Sequence, residues 1–238
     1  MKPIKWIIMS LLMLVMTESL VLAQSPFQAG VHFAMGFPQG EFANNVNNNG
    51  YGLSGHFGYQ FPGTPLTVGA SLGFLIYGME SRREALSPNI PDIVVEVETT
   101  NNILTGHLMM RVQPIASDSP FKPYLEGLFG FNYLWTETRL KDWDWDEDDD
   151  ISSKNYDDAA MSYGGGAGLM IRVYQGKKEN SEGFYSINVD LGARYLFGGE
   201  AAYLKKGDIK RLNNQVIFTP SRSTTDLLMT NIGVTFNF

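Results

Sequence analysis

The segment Thr230-Asn231-Ile232-Gly233-Val234-Thr235-Phe236-Asn237-Phe238 closes the chain, and its reading decides the fold. Ile232, Val234, Phe236 and Phe238 alternate with Asn231, Gly233, Thr235 and Asn237 up to the final carboxylate. Soluble domains usually finish in a few polar, frayed residues. A two-faced strand ending on an aromatic residue needs a partner strand for its backbone and an apolar medium for one face.

The same period-2 pattern recurs upstream, always with one parity apolar. Phe27 to Met35, Tyr51 to Phe61, Leu66 to Ile76 and Leu104 to Val112 form four such segments. Leu125 to Trp135, Tyr163 to Val173 and Tyr185 to Phe197 form three more, so the closing segment is the eighth. The links between them also alternate. Phe61 to Thr64, Gln113 to Pro120 and Gly176 to Gly183 are short and turn-like, whereas 37–50, 80–92, 138–160 and 198–223 are longer and polar.

Composition agrees with strands in an apolar setting. Of 238 residues, 44% are hydrophobic and only 18% charged, against roughly 25% charged in an average soluble domain. Glycine (25), phenylalanine (15) and tyrosine (11) are abundant, as suits a strand-rich chain. The absence of cysteine excludes disulfides, thiolate metal sites and a lipid-modified cysteine. Of the net charge of −7, residues 142–158 carry −8, so the remainder sums to +1. With no basic stripe to neutralise phosphates, nucleic acid is excluded as a partner. Residues 1–23 read as a cleaved signal peptide: Lys2 and Lys5, an apolar run from Trp6 to Met16, then Val21-Leu22-Ala23. That run is shorter than the about 20 residues a membrane-spanning helix needs.

A soluble eight-stranded barrel would share the periodicity but point its apolar face inward. Two features favour the membrane. The polar parity is rich in Gly, Ser, Thr and Asn, small enough to fill a narrow lumen, and it also carries charges. The apolar parity is belted at strand ends by Tyr51, Tyr59, Phe61, Trp135, Tyr163, Tyr185, Tyr195 and Phe197. The expected fold is therefore an all-β, eight-stranded antiparallel transmembrane β-barrel over residues 24–238. It would have three short periplasmic turns and four longer extracellular loops. The last strand would pair with the first, with Phe238 at the membrane boundary.

On these residues the chain resembles the eight-stranded outer-membrane β-barrels of Gram-negative bacteria, of the OmpA, OmpX and OmpW kind. Pro38-Gln39-Gly40-Glu41-Phe42 resembles their first loop entry, Pro123 to Tyr133 their central strand, and Phe236-Asn237-Phe238 their terminus. The resemblance implies export and residence in the outer membrane, among its lipids. It also implies handling by the barrel assembly machinery through the strand ending at Phe238. It implies no catalytic set and no cofactor.

Three groups of residues invite chemistry. Asp142, Asp144, Asp146, Glu147, Asp148, Asp149 and Asp150 form an acidic run whose first three members have the opening spacing of an EF-hand loop. Glu147 stands where the turn glycine belongs, so a solvated acidic outer loop is the preferred reading over a weak divalent-cation site. The last long link is basic, with Lys205, Lys206, Lys210, Arg211 and Arg222 against Glu200 and Asp208, and would attract it across the mouth. His32, His56 and His107 lie on the inward parity, where they read as lumen lining rather than as a metal centre. Ser54 and His56 share a face, but no acid is identifiable as a partner for catalysis. Arg111, Glu126, Arg172, Asp190 and Arg194 are inward on four consecutive strands. A desolvated charge is costly unless paired, so they are expected to form a lumen salt-bridge network that plugs the barrel. A non-enzymatic barrel anchoring surface loops follows. The alternative is a narrow porin-like channel for ions or small, even apolar, solutes, with these charges at its constriction.

Overall fold

The computed structural model describes residues 26–87, 90–113, 119–141, 151–176, 186–205, 207–212 and 215–238. The expected signal peptide and the acidic run Asp142 to Asp150 lie outside the described residues. Eight strands close into one antiparallel barrel: β1 (Phe27–Pro38), β2 (Gly50–Gln60), β3 (Leu66–Ser87), β4 (Ile90–Val112), β5 (Phe121–Lys141), β6 (Ile151–Gln175), β7 (Ser186–Gly198) and β12 (Leu227–Asn237). Each pairs with its neighbour in sequence, and β12 pairs with β1 from Gln28↔Asn237 to Pro38↔Leu227. The Phe238 amide extends this seam by donating to Phe27 O at 3.0 Å. The closing segment thus finds its partner in the first strand, and the barrel sheet has no open edge where that seam runs.

Closure assigns the two parities. Leu108, Leu125 and Val31 point outward and are 69, 66 and 63% exposed, while Arg111, on the other parity, is 0% exposed. An exterior this apolar around an interior this polar belongs in hydrocarbon, not in water. Aromatic side chains mark both limits of the band. At the turn end Tyr59 contacts Phe27 and Phe61 edge-on; at the other end Trp135 packs against Phe74 and Tyr133, and Tyr163 stacks on Phe197. From Tyr59 to Tyr51 is roughly 27 Å along β2, or about 21 Å at a typical 40° tilt, close to the about 25 Å apolar band of such barrels. Just beyond Trp135 the exterior turns charged: Lys154 donates to the Tyr133 hydroxyl at 2.8 Å, and that hydroxyl donates to Asp157 at 2.7 Å.

Strand lengths depart from expectation. The stretches 80–92 and 138–160 are in large part strand, not loop: β3 to β6 run 22, 23, 21 and 25 residues, whereas β1, β2, β7 and β12 run 12, 11, 13 and 11. The four long strands rise as a wall above one half of the barrel. Over the low half sits a folded cap. The stretch 37–50 holds the short helix α1 (Gly40–Asn45), which starts at a left-handed Gly40 (φ 56°). The stretch 198–223 holds β8 (Glu200–Tyr203) paired with β11 (Ser221–Thr224), and β9 (Ile209–Leu212) paired with β10 (Gln215–Phe218). A six-residue helix is stable only through what it packs against. Here Phe42 is fully buried, meeting Tyr77 of the wall at 5.7 Å and Tyr203 of β8 at 5.1 Å.

The lipid-facing assignment has a measurable consequence. Leu108 lies midway along β4 between Leu104, which pairs with Tyr133 at the outer belt, and Val112 at the turn end. Leu108→Arg is expected to destabilise the folded protein in lipid vesicles by roughly 2–4 kcal/mol in urea titrations. Arginine at exposed Ser81, on the wall, should cost far less.

Candidate functional site

The inward parity places side chains in rows that run around the sheet. One row, set by four consecutive registers, is Arg194, Gly166, Glu126, Arg111 and Thr67. Glu126 is adjacent to Arg111, and Arg194 reaches it across Gly166. A Cβ on Gly166 would lie 2.9 Å from Arg194 Cγ and 3.2 Å from Glu126 Oε1, so the missing side chain lets the guanidinium cross a strand. A second row repeats the device with Asp190, Gly233 and His32. There a Cβ on Gly233 would meet His32 Cδ2 at 2.8 Å.

These rows meet in one buried ring. Arg111 donates to Glu126 Oε2 from Nη2 at 2.9 Å and from Nε at 3.2 Å, while Arg194 Nε donates to Glu126 Oε1. Arg194 Nη1 also donates to Ser71 Oγ at 2.8 Å. On its other side Arg111 lies 4.0 Å from the centre of the Tyr124 ring, and its Nη1 is 4.0 Å from Asp190 Oδ2. Asp190 accepts from Tyr124 at 2.9 Å, from Thr235 at 2.9 Å and from His32 Nε2 at 3.2 Å. Two guanidinium groups thus face two carboxylates, and with the hydroxyl and imidazole donors every carboxylate oxygen accepts at least one hydrogen bond. Pairing of this kind is what a buried charge cluster requires.

Four of the five residues expected to form the network are brought together. Arg172 is the exception. It faces the lumen lower down, in the row beneath Met170 and Lys122, and takes no part in the ring's ion pairs. Tyr124, Ser71 and Thr235 belong to the ring although nothing singles them out in the sequence beyond sharing the inward parity.

The histidines divide. Opposite strand directions give no reason to expect equal depths, yet His32 and His56 stack, ring centres 5.2 Å apart and planes 21° from parallel. Their donor atoms and those of Asp190 fall within 4.8 Å of one another. Imidazole lone pairs lie in the ring plane, so two near-parallel rings direct them side by side instead of converging on an ion. The cationic Arg111, its Nη1 3.4 Å from His56 Nε2, further disfavours a metal there. The pair is better understood as part of the hydrogen-bonded ring. His107 stands apart, 3.0 Å from Ser162 Oγ. Ser54 donates to Asn231 Oδ1 at 3.2 Å, while the His56 ring is taken up by Arg111 and His32, so Ser54 and His56 do not form a nucleophile–base pair.

Toward the long-strand end the lumen is apolar, contrary to the small polar filling expected. Leu75, Ile103, Leu134, Leu196, Leu227 and Met229 are all 2% exposed or less and pack in one cluster with Phe42 and Tyr203 of the cap. The expected attraction between the acidic and basic outer segments involves residues outside those described. Within the basic segment, Arg222 pairs with Glu200 at 3.2 Å, and Asp208 accepts the Lys205 amide at 3.1 Å.

Removing one member of the ring should expose its interdependence. Glu126→Gln leaves Arg111 and Arg194 facing each other without their shared carboxylate. An unfolding titration in lipid vesicles should show a loss of roughly 3–5 kcal/mol, the usual cost of breaking a buried pair from one side.

No protein family matches the chain, and no curated protein does. Solved structures do. Neisserial surface protein A is 14% identical over 89% of this chain and 96% of its own, with a TM-score of 0.42. The outer membrane protein OprG from Pseudomonas aeruginosa is 14% identical over 91% of this chain and 97% of its own, TM-score 0.42. Ail, the attachment invasion locus protein of Yersinia pestis, solved in complex with the heparin analogue sucrose octasulfate, is 11% identical over 92% of this chain and 100% of its own, TM-score 0.40. At these identities the likeness concerns architecture alone, and the assignment of a transmembrane β-barrel rests on this chain's own closed sheet and apolar exterior.

Proposed function

We propose that the protein is a non-enzymatic anchor in the outer membrane of a Gram-negative bacterium, reached by signal-peptide-directed export. In this reading its plugged barrel holds a rigid outer structure for contact with ligands or surfaces. The filled lumen carries the proposal. Across its middle lies a ring of ion pairs around Arg111, which is fully buried. Above that ring lies the apolar cluster, to which the cap contributes Phe42 and Tyr203. An eight-stranded barrel leaves an interior just wide enough for side chains, and here side chains occupy it. Strands β3 to β6 meanwhile continue well beyond the apolar band, so in this reading the chain invests its extra length in the part that faces outward. The outer-membrane lipids and the barrel assembly machinery, the latter through the strand that ends at Phe238, are the partners this reading requires.

The experiment is single-channel recording of the refolded protein in a planar bilayer, with folding confirmed independently. Silence is the expected result. Discrete, reproducible openings would instead support a narrow channel, with Arg111 and Arg194 at its constriction.

A further inference from the structure

Of the two imidazoles in the buried ring, His32 has Asp190 to hold its proton, whereas His56 makes no hydrogen bond to a carboxylate. His56 is 5% exposed, and Arg111 Nη1 lies 3.4 Å from its Nε2. A guanidinium can only donate, so that contact needs a lone pair on Nε2 and puts the imidazole proton on Nδ1. Nδ1 is itself buried without a hydrogen-bond partner. A second proton, on Nε2, would set one donor against another. The stack is built into the sheet: His56 pairs with Gly30, and a Cβ on that glycine would collide with both the His56 and the His32 imidazoles.

No neighbouring strand offers a spare counter-charge. β1 presents His32, β3 Ser71, β4 Arg111, β5 Glu126 and Tyr124, and β7 Asp190 and Arg194. Glu126 is shared by the two guanidinium groups, and Asp190 accepts from Tyr124, Thr235 and His32. With neutral imidazoles the ring's charges sum to zero. A proton on His56 adds a charge that nothing balances, in a lumen surrounded by hydrocarbon.

We infer that His56 makes the lumen plug acid-sensitive: the ring of ion pairs holds while this imidazole is neutral and comes apart when it is protonated. The inference rests on the plugged reading of the lumen. Access is one-sided. Toward the long-strand end the apolar cluster closes the lumen, whereas toward the turn end the lining is polar, with Gln28 and Gln113 donating to Gln60 Oε1 at 3.3 and 3.0 Å. Acidity at the turn end is what reaches the latch.

The test is urea unfolding of the full-length protein, refolded in lipid vesicles, at pH 7 and pH 5, above the usual carboxylate range. The unfolded chain binds a proton on His56 below about pH 6.5 and the closed ring does not, so stability falls as pH falls. Through this residue the folding equilibrium constant should drop about twentyfold between the two pH values. His56→Gln keeps an acceptor for Arg111 but takes up no proton, so most of that drop should vanish. The chain has three histidines, and in His32→Gln/His107→Gln, where His56 is the sole imidazole, the drop should remain. A wild type indifferent to pH over this interval would overturn the inference, as would a drop undiminished in His56→Gln or lost in the double variant. Bilayer recording at pH 7 reads the plug separately. Silence without acid dependence removes the latch alone, while openings at pH 7 remove the plugged reading itself.

Discussion

A backbone amide in hydrocarbon has no water to bond to, and the whole architecture follows from that constraint. A sheet satisfies it only if every strand within the apolar band has two neighbours, which forces β12 against β1. Closure then divides each strand's residues by parity between lipid and lumen. The lumen of an eight-stranded ring is too narrow to be left unfilled, so its contents become a packing problem. This protein solves it with two materials: charge and hydrogen bonds in the middle, leucine and methionine toward the long-strand end.

The charged layer depends on the residues that are missing from it. Around a barrel, adjacent strands present their inward side chains side by side, and a side chain between two charged partners would hold them apart. Gly166 between Arg194 and Glu126, and Gly233 between Asp190 and His32, remove that obstacle. The Arg194–Glu126 ion pair and the His32–Asp190 hydrogen bond therefore each span three strands, tying together parts of the sheet that share no backbone hydrogen bond. A buried cluster of this kind need not outdo an apolar filling in net stability, but its geometry specifies one registration of the strands and no other.

Much of this is legible in the sequence, because a two-residue period with one apolar parity, sustained over eight segments, fits little besides a closed sheet, and the small polar residues of the other parity with the aromatic belts put that sheet in lipid. The inward set Arg111, Glu126, Asp190 and Arg194 is legible for the same reason: parity plus charge. Depth is not. Strand stagger decides which inward residues share a level, and alternation says nothing about stagger. Parity alone therefore groups Arg172 with the ring and gives no hint that His32 stacks on His56. The wall is hidden because a strand above the membrane no longer needs an apolar face; Glu80 to Ser87 read as loop and pair as strand. The apolar cluster is hidden because Leu75, Ile103 and Leu134 neighbour outward apolar residues, so their runs blur the alternation instead of marking an interior.

The unequal strand lengths make the molecule directional within the plane of the membrane. A barrel with level rims looks alike from every side, and an approaching body meets the same profile whatever the rotation about the membrane normal. Here the four long strands stand behind the cap like the back of a seat. A large partner sliding in from the wall side meets a broad sheet; one arriving from the low side reaches the cap. Neighbouring molecules in the same membrane can therefore shield or expose one another according to how they are turned, and rotation in the plane becomes a variable in what the protein can touch.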